Sequence, residues 1–135
     1  MNAVGLDGNI YTIHLNGCLS KNKAQNKSGP HLAARKIITE IFPTFQILEE
    51  VPIKISKYEI LYLDFYLPLI KTCIEVHGEQ HYKFSKFYHI NMMGFAKAKK
   101  RDENKKQWCL LNNIKHIIFP YNESLEQWKQ KISNE

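Results

Sequence analysis

The chain has 135 residues, 44% of them hydrophobic, with 19 Lys and Arg against 13 Asp and Glu, a formal charge of +6 and a pI near 9.2. That length suits one domain with a modest core and no covalent staples. No apolar run approaches the roughly 18 residues of a membrane span, and the N-terminus lacks the basic region and long apolar stretch of a signal peptide. Cys18, Cys73 and Cys109 form no CxxC pair, which argues against a disulfide framework or a thiolate zinc site and for a reducing cytoplasm. The basic balance favours a polyanionic partner, and no basic amphipathic tail points to a membrane surface.

Gly5, Gly8 and Gly17 around Ile10–Leu15 predict a short strand or hairpin, an appendage to the core. Residues 18–30, with Lys21, Lys23 and Lys27, read as a polar loop, either a bland linker or a tether touching phosphates. Ser28-Gly29-Pro30 starts a helix whose inward stripe is His31, Ala34, Ile38 and Ile41, ending near Phe42-Pro43. Strands are expected over residues 45–55 with a bend near Pro52, over 60–67 and over 71–77. A long helix over 91–113 turns Phe95, Ala98, Asp102 and Cys109 to one face. A fourth strand over 115–120 and a closing helix over 124–132 follow, with Leu125, Trp128 and Ile132 inward and a capping box from Ser124 to Gln127. The order is helix, three strands, helix, strand, helix: an α/β fold with a mixed four-stranded sheet flanked by helices. A single domain is expected over 1–135, with residues 1–29 an extension and 30–135 the core.

A tight turn over Leu67–Lys71 sets Asp64 directly opposite Glu75, with β-carbons about 5 Å apart on one face. Two carboxylates so close repel, and a bridging divalent cation removes the repulsion. Oxygen ligands favour Mg²⁺, with Mn²⁺ as a substitute, and the Val76 carbonyl adds a further ligand. The plain alternative, a surface pair, fits poorly with the apolar neighbours Leu63, Phe65, Ile74 and Val76. His77 shares the face of Glu75 and can take a proton from water or orient it, against the alternative of a structural imidazole. Gly78 permits a sharp exit from the strand. Gln80 and His81 then fold over the rim, Gln80 to orient water and His81 to contact the scissile phosphate or protonate the leaving oxygen. Asp102, polar on an apolar helix face, either orients a site histidine, ligates a second ion, or pairs with Arg101 or Arg35. His31 either reaches the same cleft or is a core or cap histidine, and Glu40 is a weaker candidate. Lys83, Lys86, Lys97, Lys100, Arg101 and Lys105 form the heaviest basic cluster and are the expected phosphate contacts. Phe84, Phe87, Tyr88, His89 and Phe95 interleave with them, as wedges against bases or as helix-to-sheet packing.

Asp64, Glu75 and His77 resemble the acid, acid-x-lysine signature of the PD-(D/E)XK nuclease superfamily, with His in the lysine position and Leu63 where proline is usual. The set is most similar to the branch of Vsr-like mismatch-repair nicking enzymes and phage homing endonucleases. There Asp64, His77-Gly78, His81 and Asp102 match the branch's motifs in order, and His31 or Glu40 stands near its early helical Glu. The resemblance spans roughly residues 30–132. It implies a restriction-endonuclease-like core and Mg²⁺-dependent hydrolysis of double-stranded DNA, leaving 5′-phosphate and 3′-hydroxyl ends. The enzyme would act in the cytoplasm, of the host cell if phage-encoded, as a nicking enzyme or a homodimer that cuts both strands. A junction or other structure-selective nuclease, a non-catalytic DNA-binding module on the same scaffold, and an RNA substrate are the other readings.

Overall fold

The computed structural model describes residues 1–20, 23, 27–84 and 91–133. A hairpin of β1 (Asn2–Val4) and β2 (Ile10–Thr12) precedes α1 (Gly29–Ile41), β3 (Leu48–Ser56), β4 (Glu59–Leu67), β5 (Thr72–His77), α2 (Met92–Leu111), β6 (Lys115–Pro120) and α3 (Leu125–Ser133). The second sheet runs β3-β4-β5-β6, antiparallel until β6 lies parallel to β5 after crossing over through α2. The expected mixed four-stranded sheet flanked by helices is therefore present.

Local chemistry explains the boundaries. Ser28 caps α1 by accepting from His31 N–H, with Pro30 in the first turn, and Asn91 caps α2 by accepting from Gly94 N–H. Ser124 and Gln127 exchange the two bonds of a capping box ahead of α3. Pro52 is tolerated in β3 because that strand is at the sheet's edge, where a missing N–H costs little. Near it, Glu50 takes the left-handed region with φ 52°, and the register shifts between Lys54 and Ser56.

β4 feeds two cores, and its phase changes between Leu63 and Phe65. Leu61, Leu63 and Tyr66 join Leu48, Cys73, Trp108 and Cys109 on the α2 side. Phe65 and Leu67 join Ile74, Ile117 and Phe119 under α1 and α3. On α3, Trp128 stacks on Phe119 at 4.7 Å and donates to the Pro120 carbonyl, while Ile132 is buried. Leu125, expected inward, is exposed: it opens the helix ahead of the turn that Trp128 anchors. The N-terminal hairpin is more than an appendage. Ala3, Ile13 and Cys18 enter the first core, and Asn112 bonds both the N–H and the carbonyl of Val4.

Candidate active site

Beyond the pair Phe65↔Ile74, β4 and β5 no longer match as partners. Their backbone amides are satisfied by the two carboxylates instead. Asp64 N–H donates to Glu75 Oε2 at 2.8 Å, and Val76 N–H donates to Asp64 Oδ2 at 2.9 Å. The reciprocal bonds hold both acids in one cleft of about 350 Å³, lined also by His31, Val76, His77, Gln80, His81 and Lys105. Glu75 is only 1% exposed. Burial, and then the charge of Asp64, push its carboxyl up to about 8, against the opposing pull of Lys105. Lys105 Nζ lies 2.9 Å from Glu75 Oε1 in an ion pair, and that oxygen has no other partner among the described residues. Burial opposes the charge on Lys105, but Glu75 prevails and raises it above the ordinary lysine value. Lys105 thus sits inside the cleft, where sequence grouping placed it on a basic surface.

His77 also faces this cleft, and its ring lies flat against His81, centroids 4.1 Å apart and planes 4° apart. Burial, and then the charge of His81, hold His77 down at about 4, so it is a neutral acceptor at pH 7. His81 Nδ1 is 2.8 Å from Asp102 Oδ2, an arrangement in which the ring donates to the carboxylate and keeps Nε2 free. Burial alone would raise Asp102, but the His81 bond prevails and lowers it. Asp102 therefore pairs with a histidine, and with neither Arg101 nor Arg35. Gly78 has φ −74°, which any residue adopts. Its lack of a side chain matters for space: a β-carbon there would fall 2.4 Å from Gln80 Oε1, so the glycine lets Gln80 fold back over the strand end.

His31 lines the cleft from α1, its ring stacked on Phe65 at 4.6 Å and its Nε2 2.7 Å from Glu49 Oε1. Glu49 was not singled out from the sequence. It is fully buried, bonded by Arg35 Nε at 2.7 Å and Nη2 at 2.9 Å, and by the Ser20 hydroxyl. Burial works against its charge, yet the His31, Arg35 and Ser20 bonds pull its carboxyl down to about 2. Glu40 is exposed on α1 and takes no part. Lys97, Lys100 and Arg101 are exposed on α2, and Lys83 is exposed beside Glu79 at 3.5 Å. Lys86, Phe87, Tyr88 and His89 lie outside the described residues. Phe84 meets Phe95 edge-on at 6.4 Å, which is packing between the loop and α2.

The donor set suits a hard divalent cation. Two carboxylates share one cleft, burial and the Asp64 charge hold the Glu75 carboxyl up despite Lys105, and the Glu75 oxygen facing Lys105 has no other partner among the described residues. Binding of Mn²⁺ should therefore release the Glu75 proton. Apparent affinity is expected to rise about tenfold per pH unit below pH 8 and to level off above it, which calorimetric titration across that range checks. A flat profile would remove Glu75 from the ligand set. Without metal the sign is the reverse for stability. Because its pKa is raised from 4.5 to about 8 on folding, Glu75's contribution is present below the lower value and lost as pH rises toward the upper.

No family model and no solved structure matches the chain. It is similar to two curated viral proteins over 61 residues, 45% of its own length. One, 41% identical there, is uncharacterized protein 307L of Invertebrate iridescent virus 6. The other, 36% identical, is uncharacterized protein 033L of Invertebrate iridescent virus 3. The match covers 31% of each relative, so the likeness reaches less than a third of those longer proteins.

Proposed function

We propose that the chain is a metal-dependent DNA endonuclease on a restriction-endonuclease-like core. The observation that carries this reading is the cleft between β4 and β5, where Asp64 and Glu75 meet with Lys105 and a neutral His77 beside them. The element order, with three strands, a crossover helix and a parallel fourth strand, is consistent with that core. Asp64 and Glu75, with the backbone of Val76, would hold Mg²⁺ or Mn²⁺. When bound, such an ion lowers the pKa of water and screens the charge that develops on a phosphodiester. The remaining roles belong to the chain's own side chains. Neutral His77 accepts the proton of the attacking water, and Gln80 orients that water. His81, fixed through Nδ1 by Asp102, presents Nε2 to the scissile phosphate or the leaving oxygen. Lys105 offsets the surplus negative charge once a phosphate enters.

The approach to the cleft supports a nucleic-acid strand as the occupant. A shallow groove of about 240 Å³ between β4 and α2 shares His81, Asp102 and Lys105 with the site and continues past Arg101, Ile60 and Tyr62. Ile60 is 51% and Tyr62 57% exposed, apolar surface for base or sugar beside cationic Arg101. Arg101→Ala is expected to weaken DNA binding and to lower the slope of log affinity against log salt by about one, with little change in cleavage at saturating DNA. A fluorescence-anisotropy salt series reads this.

The decisive experiment is supercoiled-plasmid nicking by the wild-type chain in Mg²⁺, in Mn²⁺ and in chelator. The expected result is metal-dependent open circle with 5′-phosphate ends. Cleavage that persists in chelator would overturn the mechanism. DNA binding without nicking in either metal would leave a binding module. One cleft cuts one strand at a time, so linear product appearing ahead of open circle would require paired protomers. Junction and RNA substrates run alongside decide the substrate class.

A further inference from the structure

Cys73, Cys109 and His116 have no motif spacing in the sequence, and none of them lines the catalytic cleft. The fold brings them together. Cys73 and His116 are register partners on the parallel strands β5 and β6, and Cys109 comes from the last turn of α2. One ligand atom from each lies within 4.8 Å of the other two. Both thiols are fully buried, and His116 Nε2 is buried with no hydrogen-bond partner among the described residues. An unpaired buried polar atom of that kind is unfavourable, and a thiol is a poor donor to satisfy it.

We propose that Cys73, Cys109 and His116 form a zinc site, separate from the carboxylate cleft, that pins α2 to the sheet. Sulfur and imidazole donors select Zn²⁺ over the hard cations that suit Asp64 and Glu75. Two thiolates balance the ion's charge, so the loaded site adds no net charge to the core. Both thiol protons leave as the metal enters. Burial first, and then the charges of Lys106 and Lys105, keep His116 below the ordinary histidine value, in the neutral form that ligates. Three protein ligands leave one tetrahedral position open, and Tyr66, the cross-strand neighbour of Cys73, borders the cluster. Cys109 is one helical turn from Lys105 on α2, so the ion would also fix the segment that delivers Lys105 to Glu75.

Cobalt is the probe. In the full chain, freed of metal and titrated with Co²⁺ in excess Mg²⁺ to occupy the carboxylate cleft, one equivalent of cobalt should give near-ultraviolet thiolate-to-cobalt charge-transfer absorption that Mg²⁺ does not abolish. The band should persist in Asp64→Ala and Glu75→Gln, which separates this site from the cleft. It should vanish in Cys109→Ser, and in His116→Gln the affinity should fall at least about a hundredfold. If Cys109→Ser does not fold, His116→Gln, on the edge strand, carries the test alone. Cobalt absorption without the thiolate band overturns the proposal, as does a band unchanged in the variants. So does a Cys73–Cys109 disulfide in the unreduced protein.

Discussion

Glu75→Gln is expected to lower metal-dependent nicking by about a thousandfold or more, on the order of 4 kcal/mol of transition-state stabilisation, while destabilising the metal-free fold only by the loss of its contact with Lys105. The two halves follow from one fact. Without a cation, burial and Asp64 keep the Glu75 carboxyl protonated up to about pH 8, so a neutral amide resembles the resident form at pH 7. The amide oxygen can still accept from Asp64 N–H, as Oε2 does, but the NH2 then faces Lys105 and forfeits that contact. What the variant loses is the ability to become an anion when a cation arrives. Thermal melting checks this independently of catalysis. Mn²⁺ at a hundred times its dissociation constant should stabilise wild type by about 2.7 kcal/mol and Glu75→Gln by little. Asp64→Asn should be equally inactive for a related reason, and with that neighbouring charge gone the Glu75 carboxyl should titrate lower. Undiminished nicking by either variant would end the assignment of this cleft.

The carboxylate pair was legible because it depends on local chain geometry. The short connection through Pro68–Ile70 pairs Leu67 with Thr72 and Phe65 with Ile74, and the next residues in each strand are the two acids. His77 followed from strand alternation, and Asp102 from being polar on an otherwise apolar helix stripe. Lys105 lay on that same stripe, three residues after Asp102 and four before Cys109. Its long aliphatic stem allows a charged head to reach inward, so its type suggested the surface while its position pointed to the core. Trp108, buried beside Cys109, shows how far that inward face extends. The unread features are those whose partners are distant in sequence. Glu49 looked like one of two acids in a strand, and nothing local says that α1 will set His31 and Arg35 over it. The cluster of Cys73, Cys109 and His116 needs the β5–α2–β6 crossover to exist at all. Turn chemistry and periodicity set the elements, but the packing of α1 and α2 on opposite faces decides which polar side chains meet.

Glu49→Ala is expected to destabilise the fold by about 3–5 kcal/mol at neutral pH, the usual penalty for removing one partner of a buried ionic cluster. Arg35 and His31 would be left under α1 without their carboxylate, and Arg35 Nη1 already lacks a partner among the described residues. The pH dependence separates this electrostatic loss from simple loss of packing. Because the Glu49 carboxyl falls from 4.5 to about 2 on folding, its stabilising contribution is fully present above the higher value and is lost as pH falls toward the lower. Urea unfolding should therefore show the gap between wild type and Glu49→Ala narrowing through that window, and Glu49→Gln should lie between the two at pH 7. A gap that stays constant from neutral pH to pH 2 would mean that the side chain's bulk, rather than its charge, is what the core requires. The cluster also reaches the site: Glu49 bonds the His31 ring that stacks on Phe65 and lines the cleft. Nicking measured well below the melting temperature of Glu49→Ala should fall further than the folded fraction alone accounts for, because a released His31 can turn into the space the substrate needs.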